Sequence, residues 1–247
     1  MPRKTENAVA MQRRYYEETA SRYDTMHARE CDDDAWNLTL VSALLRAIGA
    51  HSVLDVGAGT GRGIRRLSAD LPGIHACGVE PVGALIDQAI AKSESFYPMY
   101  VQGSGEALPF RDASFDAVCS FAILHHVPKP SLVVGEMLRV ARKAVLIVDS
   151  NRFGQGRWAV RVAKLGLYKT GLWRLVNYAK TRGKQYLFTE GDGVAYSYSA
   201  YDSFDQIAEW ADRLMVIPAE PGKARSWLHP LLTTGGVLVC AIKETRT

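Results

Sequence analysis

The sequence predicts an α/β fold: a doubly wound, mainly parallel, seven-stranded sheet with an N-terminal helical cover and an insertion after the fifth strand. Two observations lead there. From His51 onward, short β-rich apolar runs alternate with longer segments of helical period, and strands separated by helices pair in parallel through crossovers. A chain of 247 residues, at about 150 per domain, suits one such sheet with extensions.

In chain order, residues 1–50 read as a helical cover, with helices over 10–28 and 35–48 separated by the acidic run Glu30, Asp32, Asp33 and Asp34. Residues 51–150 hold the sheet core. Its strands fall at 52–56, 74–79, 96–101, 115–121 and 143–149, with helices between them near 61–71, 82–92 and 132–139. Residues 151–202 form an insertion rich in Gly, Trp and Arg, with partial helical pattern at 158–167 and 172–178. Residues 203–247 close the fold with a helix at 203–212 and strands at 214–217 and 236–242. The whole reads as a single domain without internal repeats.

Composition narrows the classes. With 47% hydrophobic and 23% charged residues the chain is not disordered, and no apolar run approaches the ~18 residues of a membrane span. The N-terminus lacks the apolar core of a signal peptide, so a cytoplasmic location is expected. Cys31, Cys77, Cys119 and Cys240 are scattered without a C-x-x-C pair, which leads us to expect reduced structural thiols and no metal.

In an open parallel sheet, ligands lie outside the carboxyl ends of the strands. There the segment Val53-Leu54-Asp55-Val56-Gly57-Ala58-Gly59-Thr60-Gly61 ends a strand, turns through alternating glycines and enters a helix. Glycine permits positive φ and close ligand approach, and a helix start offers unpaired N–H groups. The dinucleotide spacing G-x-G-x-x-G fails in every register, because Arg62, Ile64 and Arg66 occupy the third position, and no G-K-[ST] supports a phosphate loop. Glu80 closes the second strand, where a carboxylate can accept hydrogen bonds from both ribose hydroxyls of an adenosine. A nicotinamide enzyme is thereby disfavoured and binding of a phosphate-free nucleoside favoured.

With VLDVGAGTG (53–61), GVEP (78–81), GSGEALPFRDASFD (103–116) and FAILHHV (121–127), the chain resembles the class I S-adenosylmethionine-dependent methyltransferases, in the small-molecule group known as type 11. The lead-in YEETASRYD (16–24) is similar as well. The resemblance implies a Rossmann-like fold and S-adenosylmethionine as methyl donor, with S-adenosylhomocysteine as product. It implies that Asp55, Gly57, Ala58, Gly59 and Gly61 surround the methionine part, that Glu80 with Pro81 meets the ribose, and that Phe121 and Ala122 line the sulfonium side. The family commonly has an Asp at the adenine where this chain has Ser104, so Gly105 and Glu106 are expected to complete that contact.

Methyl transfer is an in-line displacement, and a base is needed where the acceptor must lose a proton. His126, and secondarily His125, follow the fourth strand on the acceptor side and are the candidate bases; the alternative is that they only hold the loop. Tyr16 and Tyr23, seven apart on one helical face, are candidates for substrate contact or for packing of the cover. Between residues 151 and 189 there are nine Arg or Lys and no Asp or Glu, interleaved with aromatics, while the rest of the chain is net acidic. Arg152 and Trp158 there, and Tyr196 and Tyr198 downstream, are candidate substrate residues. The segment fits an anionic small-molecule acceptor, a peripheral contact with an anionic membrane to reach a lipid-linked acceptor, or a merely wet helical lid; nucleic acid is the least supported partner. The expected activity is S-adenosylmethionine-dependent methylation of a small or lipid-linked molecule, O-methylation ahead of N- or C-methylation. The competing readings are a non-catalytic cofactor-binding or scaffold protein and an RNA methyltransferase using the basic insertion.

Overall fold

The computed structural model describes residues 2–26, 31–93, 98–220 and 226–244. Helix α1 (Pro2–Thr19) leads through a tight 3-10 turn (Ala20–Arg22) into the short α2 (Tyr23–Met26), and α3 spans Cys31–Ala47. The expected helix over 10–28 therefore breaks after Thr19, whose hydroxyl bonds back to the Tyr15 carbonyl 2.7 Å away. Residues 27–28 and Glu30 lie outside the described residues. The acidic run was expected to separate two helices. Instead Asp32 to Asp34 fall within α3 itself.

Strands β1 (Ser52–Val56), β2 (His75–Glu80), β3 (Met99–Gln102), β4 (Phe115–Phe121) and β5 (Ala141–Ser150) alternate with helices α4 (Arg62–Asp70), α5 (Gly83–Ala91) and α6 (Pro130–Val140). Strand β3 begins later than expected, residues 96–97 lying outside the described set. After β5 come α7 (Trp158–Lys169), α8 (Trp173–Lys180), β6 (Tyr186–Thr189), β7 (Gly193–Tyr196), α9 (Phe204–Trp210), β8 (Arg213–Pro218) and β9 (Gly236–Ile242). The seven-stranded sheet runs β3-β2-β1-β4-β5-β9-β8, and β9 is antiparallel to both its neighbours. Strands β6 and β7 form a separate antiparallel hairpin that the sequence reading did not anticipate.

Burial follows the strand period of two. Leu54, Val56, Val118, Val145 and Ile147 face the layer of α6 and α9, while Val53, Ala117, Cys119, Ala144 and Leu146 face α3 and α4. Each central strand is thus covered on both sides, which is why these segments read as continuous apolar runs. Helix α6 starts at Pro130, whose fixed φ and missing N–H suit a first helical turn. Cys77, Cys119 and Cys240 are buried free thiols; the Cys31 side chain lies outside the described set. Among the described residues no helix is long and apolar enough to cross a membrane.

The order reverses between β1 and β4, with β2 and β3 on one side and β5 on the other. That switch point opens a crevice at the carboxyl ends of β1 and β4.

Candidate functional site

Three short segments meet at this crevice. The β1–α4 turn holds Gly57, Gly59 and Gly61 at φ of +78°, +53° and +76°, conformations that side chains resist. A Cβ on Gly57 would lie 2.6 Å from Ile123 Cγ2, so this glycine lets the β4 loop close onto the β1 turn. A Cβ on Gly59 would meet nothing within 4 Å. Gly61 corrects the expectation. It does not line the cleft, and a side chain there would strike Tyr100 and Ala89, so it serves close packing of the turn on α5.

Glu80, 5% exposed, bridges two loops: Gly59 N–H donates to Oε2 and Val82 N–H to Oε1, each at 3.0 Å. Burial outweighs these bonds and pushes its carboxyl up to about 7. Asp55 is also pushed up to about 7, by burial and then by Glu80, and its Oδ1 is buried without a hydrogen-bond partner. The Glu80 charge thus adds to burial in keeping Asp55 from ionising.

The crevice has two lobes joined at Tyr16, Gly57, Glu80, Ile123 and His126. One lobe is lined by Val56, Pro81, Val82, Ser104, Gly105, Glu106 and Val133 and is mainly apolar. The other is lined by Asp55, Ala58, Gly59, Phe121, Ala122, His125 and Asp192. Ala122 holds φ +55° on the rim, a left-handed conformation unusual for a side-chain residue. The cover closes over the crevice. Tyr16 stands edge-on to Tyr23 at 5.8 Å and to His126 at 6.0 Å, and Asp24 of α2 accepts a 2.6 Å bond from Thr60 in the glycine turn. Tyr16 and Tyr23 both line the cleft.

The two histidines differ. His125 Nδ1 lies 2.8 Å from the fully buried Asp149, and Nε2 lies 3.8 Å from Asp192. Burial alone would lower its pKa, but these two carboxylates raise it to about 10. The structure therefore corrects the reading of His125 as a base, because a ring held protonated at neutral pH has no lone pair to offer. His126 Nδ1 lies 2.7 Å from the Val194 carbonyl, which can only accept, so Nδ1 carries the proton. The Gln12 amide nitrogen, 3.4 Å from the same Nδ1, then faces a donor and makes no bond there. His126 Nε2 is turned to Asp192 Oδ1 at 3.3 Å. Burial works against ionisation of Asp192, but the two histidines hold its carboxyl well below the ordinary range.

Four substrate candidates do not reach the cleft. Arg152 is buried: it donates to the Ser197 carbonyl at 3.0 Å, pairs with Asp202 and lies within 5.6 Å of the ring centroids of Phe153, Tyr168 and Trp173. Its charge is consumed in fastening α7 and α8 to the core. Tyr198 is buried in the sheet core with its hydroxyl 2.9 Å from Ser203 Oγ. Tyr196 packs at a tilt against Tyr186 on the hairpin, and Trp158 is 52% exposed on α7. Strand β7 ends at Tyr196, and the chain enters a 3-10 segment at Ala200–Ser203.

Sequence reasoning missed Gln12 and Asp192. Gln12 accepts from Val194 N–H and so ties α1 to β7, and Asp192 sits in the β6–β7 turn. Neither belongs to a spaced motif. Only a prediction of the hairpin, from Gly191 and Gly193 between two apolar runs, would have pointed to Asp192.

Fold and crevice thus define a doubly wound α/β protein with its cleft at the switch point. Within that class the chain belongs to the methyltransferase family. Residues 54–148 match the family described as "Methyltransferase domain". An uncharacterized methyltransferase of Mycobacterium tuberculosis is 30% identical over 181 residues, which is 72% of this chain and 69% of that protein. One from Mycolicibacterium gilvum is 32% identical over 151 residues, or 61% of this chain and 57% of its own length. The chain thus spans less than two thirds of several mycobacterial relatives it matches. The magnesium protoporphyrin IX methyltransferase of Synechocystis, crystallised with bound S-adenosylhomocysteine, shares the fold with a TM-score of 0.61 at 16% identity, over 94% of this chain and 97% of that one.

Proposed function

We propose that the protein binds S-adenosylmethionine in the two-lobed crevice and transfers its methyl group to a small or lipid-linked acceptor, at oxygen. The observation that carries the reading is the order of chemistry along the crevice. An apolar lobe with Ser104 and Glu106 suits an adenine, Glu80 at the waist suits a ribose diol, and the orphaned Asp55 Oδ1 suits the methionine ammonium. No phosphate clamp is needed, in keeping with a nucleoside that carries none.

S-adenosylmethionine supplies an electrophilic methyl on a sulfonium; the acceptor oxygen forms the new C–O bond while the C–S pair returns to sulfur. This chain's residues hold the donor and exclude water. Tyr16 and Tyr23 roof the crevice, and the Asp24–Thr60 bond latches the roof to the glycine turn. Oxygen is favoured because a hydroxyl must shed its proton during attack, and His126, which lines the lobe beside Phe121 and Ala122, is the candidate to receive it.

The lipid-linked acceptor is supported by the surface of the insertion. Arg157, Lys169, Arg174, Lys180, Arg182 and Lys184 are exposed. So are Trp158, Val160, Val162, Leu172, Leu175, Val176, Tyr178, Leu187 and Phe188. Cations interleaved with apolar and aromatic side chains fit an anionic bilayer surface.

Two measurements test the reading. Calorimetric titration with S-adenosylhomocysteine is expected to show one site, and absence of binding overturns the cofactor. Methyl transfer from labelled donor should favour long-chain hydroxylated acceptors in anionic vesicles over short polar ones, and the opposite preference removes the lipid part.

A further inference from the structure

His125, His126 and Asp192 present one ligand atom each, all within 4.8 Å of one another. Asp192 Oδ2 lies 3.8 Å from His125 Nε2, and Asp192 Oδ1 lies 3.3 Å from His126 Nε2. A cation held by bonds of about 2.1 Å separates adjacent ligand atoms by about 3.0–3.5 Å. These spacings need only small rotations to close around one.

The outer nitrogens are anchored as metal-binding histidines usually are. His125 Nδ1 lies 2.8 Å from Asp149 Oδ1, and Asp149 is itself fixed by Leu124 N–H at 2.9 Å and Ser150 N–H at 2.7 Å. His126 Nδ1 donates to the Val194 carbonyl at 2.7 Å. Both rings are thereby oriented with Nε2 toward the one carboxylate. The remaining coordination positions would open to the cleft beside Phe121 and Ala122.

We infer that His125 Nε2, His126 Nε2 and the Asp192 carboxylate form a binding site for one first-row divalent cation of the zinc, cobalt or iron(II) kind. Two imidazoles and one carboxylate with open positions suit these ions, whereas magnesium and calcium prefer all-oxygen sets, and the cation would take the place of the proton that His125 Nε2 holds in the metal-free protein, releasing it to solvent. The expectation of no metal rested on scattered cysteines without a C-x-x-C pair or partner histidines at metal spacing, whereas this set joins two adjacent histidines to a carboxylate from a distant hairpin. The role of the cation rests on the methyltransferase reading. An acceptor hydroxyl that takes an open position releases its proton to water more readily, its oxygen then attacks the methyl carbon, and the C–S electron pair goes to sulfur. The cation would then replace His126 as the means of activating the hydroxyl.

The test uses untagged, chelator-treated full-length protein titrated with Co2+, read by visible ligand-field absorption and by calorimetry. One Co2+ per chain is expected, bound at least tenfold more weakly by Asp192→Asn and by Asp192→Ala, and about 10–100-fold more weakly by Asp149→Asn. Asp192→Asn keeps the shape of the hairpin turn, and circular dichroism confirms folding of each variant. Absence of stoichiometric Co2+ binding, or equal affinity in a folded Asp192→Asn protein, overturns the inference and leaves the trio as an ion-pair latch. A parallel titration of the parent with S-adenosylhomocysteine separates the two claims. Nucleoside binding without Co2+ removes only the cation site, and Co2+ binding without the nucleoside removes only the methyltransferase role.

Discussion

Replacing Glu80 by glutamine should weaken cofactor binding strongly while making the empty protein relatively more stable at alkaline pH. Burial pushes this carboxyl from 4.5 to about 7, so holding it ionised costs the folded state roughly 3 kcal/mol. The sign follows from the direction. A raised carboxyl pKa favours the folded state below the unfolded value of 4.5, and that advantage is lost as pH rises through about 7. Glutamine escapes the penalty. It keeps one acceptor for Gly59 or Val82 N–H but turns a donor toward the other, at a cost of about 1–3 kcal/mol. Near pH 8 the two effects nearly cancel; near pH 4.5 only the cost remains. Relative to the parent, the variant should therefore gain roughly 3 kcal/mol across that range, or about 6–12 °C in the melting-temperature difference for a chain of this size. Binding behaves differently. Loss of the charged acceptor for a ribose diol costs about 2 kcal/mol or more, so Kd for S-adenosylhomocysteine should rise at least about 30-fold. Calorimetry at pH 8 gives the affinity, and melting curves at pH 5 and pH 8 give the stability. A folded variant with the parent's affinity refutes the ribose role, and a variant that falls further behind as pH rises refutes the desolvation argument.

The two neighbouring glycines should separate folding from binding. Gly57→Ala drives a methyl into Ile123 at φ +78° and should lower the melting temperature clearly, whereas Gly59→Ala meets no atom within 4 Å and should cost only about 1 kcal/mol of backbone strain. Equal destabilisation of the two would contradict this. Arg152→Ala leaves Asp202 without its buried partner and unfastens Tyr168 and Trp173; about 3 kcal/mol of stability should go, and protease cleavage within 158–180 should accelerate. Unchanged proteolysis would show that the insertion is held by something else. His125 should remain protonated in the metal-free protein throughout pH 6–8, because its pKa lies at about 10, so its ring signals in NMR should not titrate in that interval. Its contribution to stability is present below the unfolded value near 6.5 and disappears as pH rises through about 10. Charge reversal at Arg174 and Lys180, both exposed, should reduce sedimentation with anionic vesicles without lowering the melting temperature.

What the sequence determined is local and repeating. Strands such as 52–56 and 115–121 are legible because each is buried on both faces, so their apolar character is continuous and bounded by turn residues. The glycine turn and Glu80 are legible for a related reason, since positive φ and a carboxylate at a strand end mark single positions irrespective of distant partners. The tertiary structure decided everything that depends on polar residues far apart in the chain. Arg152 and Tyr198 both read as substrate residues, but Arg152 is enclosed by aromatic rings and Asp202 and Tyr198 lies in the sheet core. Asp192 gained a role only because a hairpin carries it back to the loop after β4. Burial of an apolar face imposes a period that a sequence must display, but a hydrogen bond or ion pair between remote segments satisfies geometry at one point and leaves no such period behind.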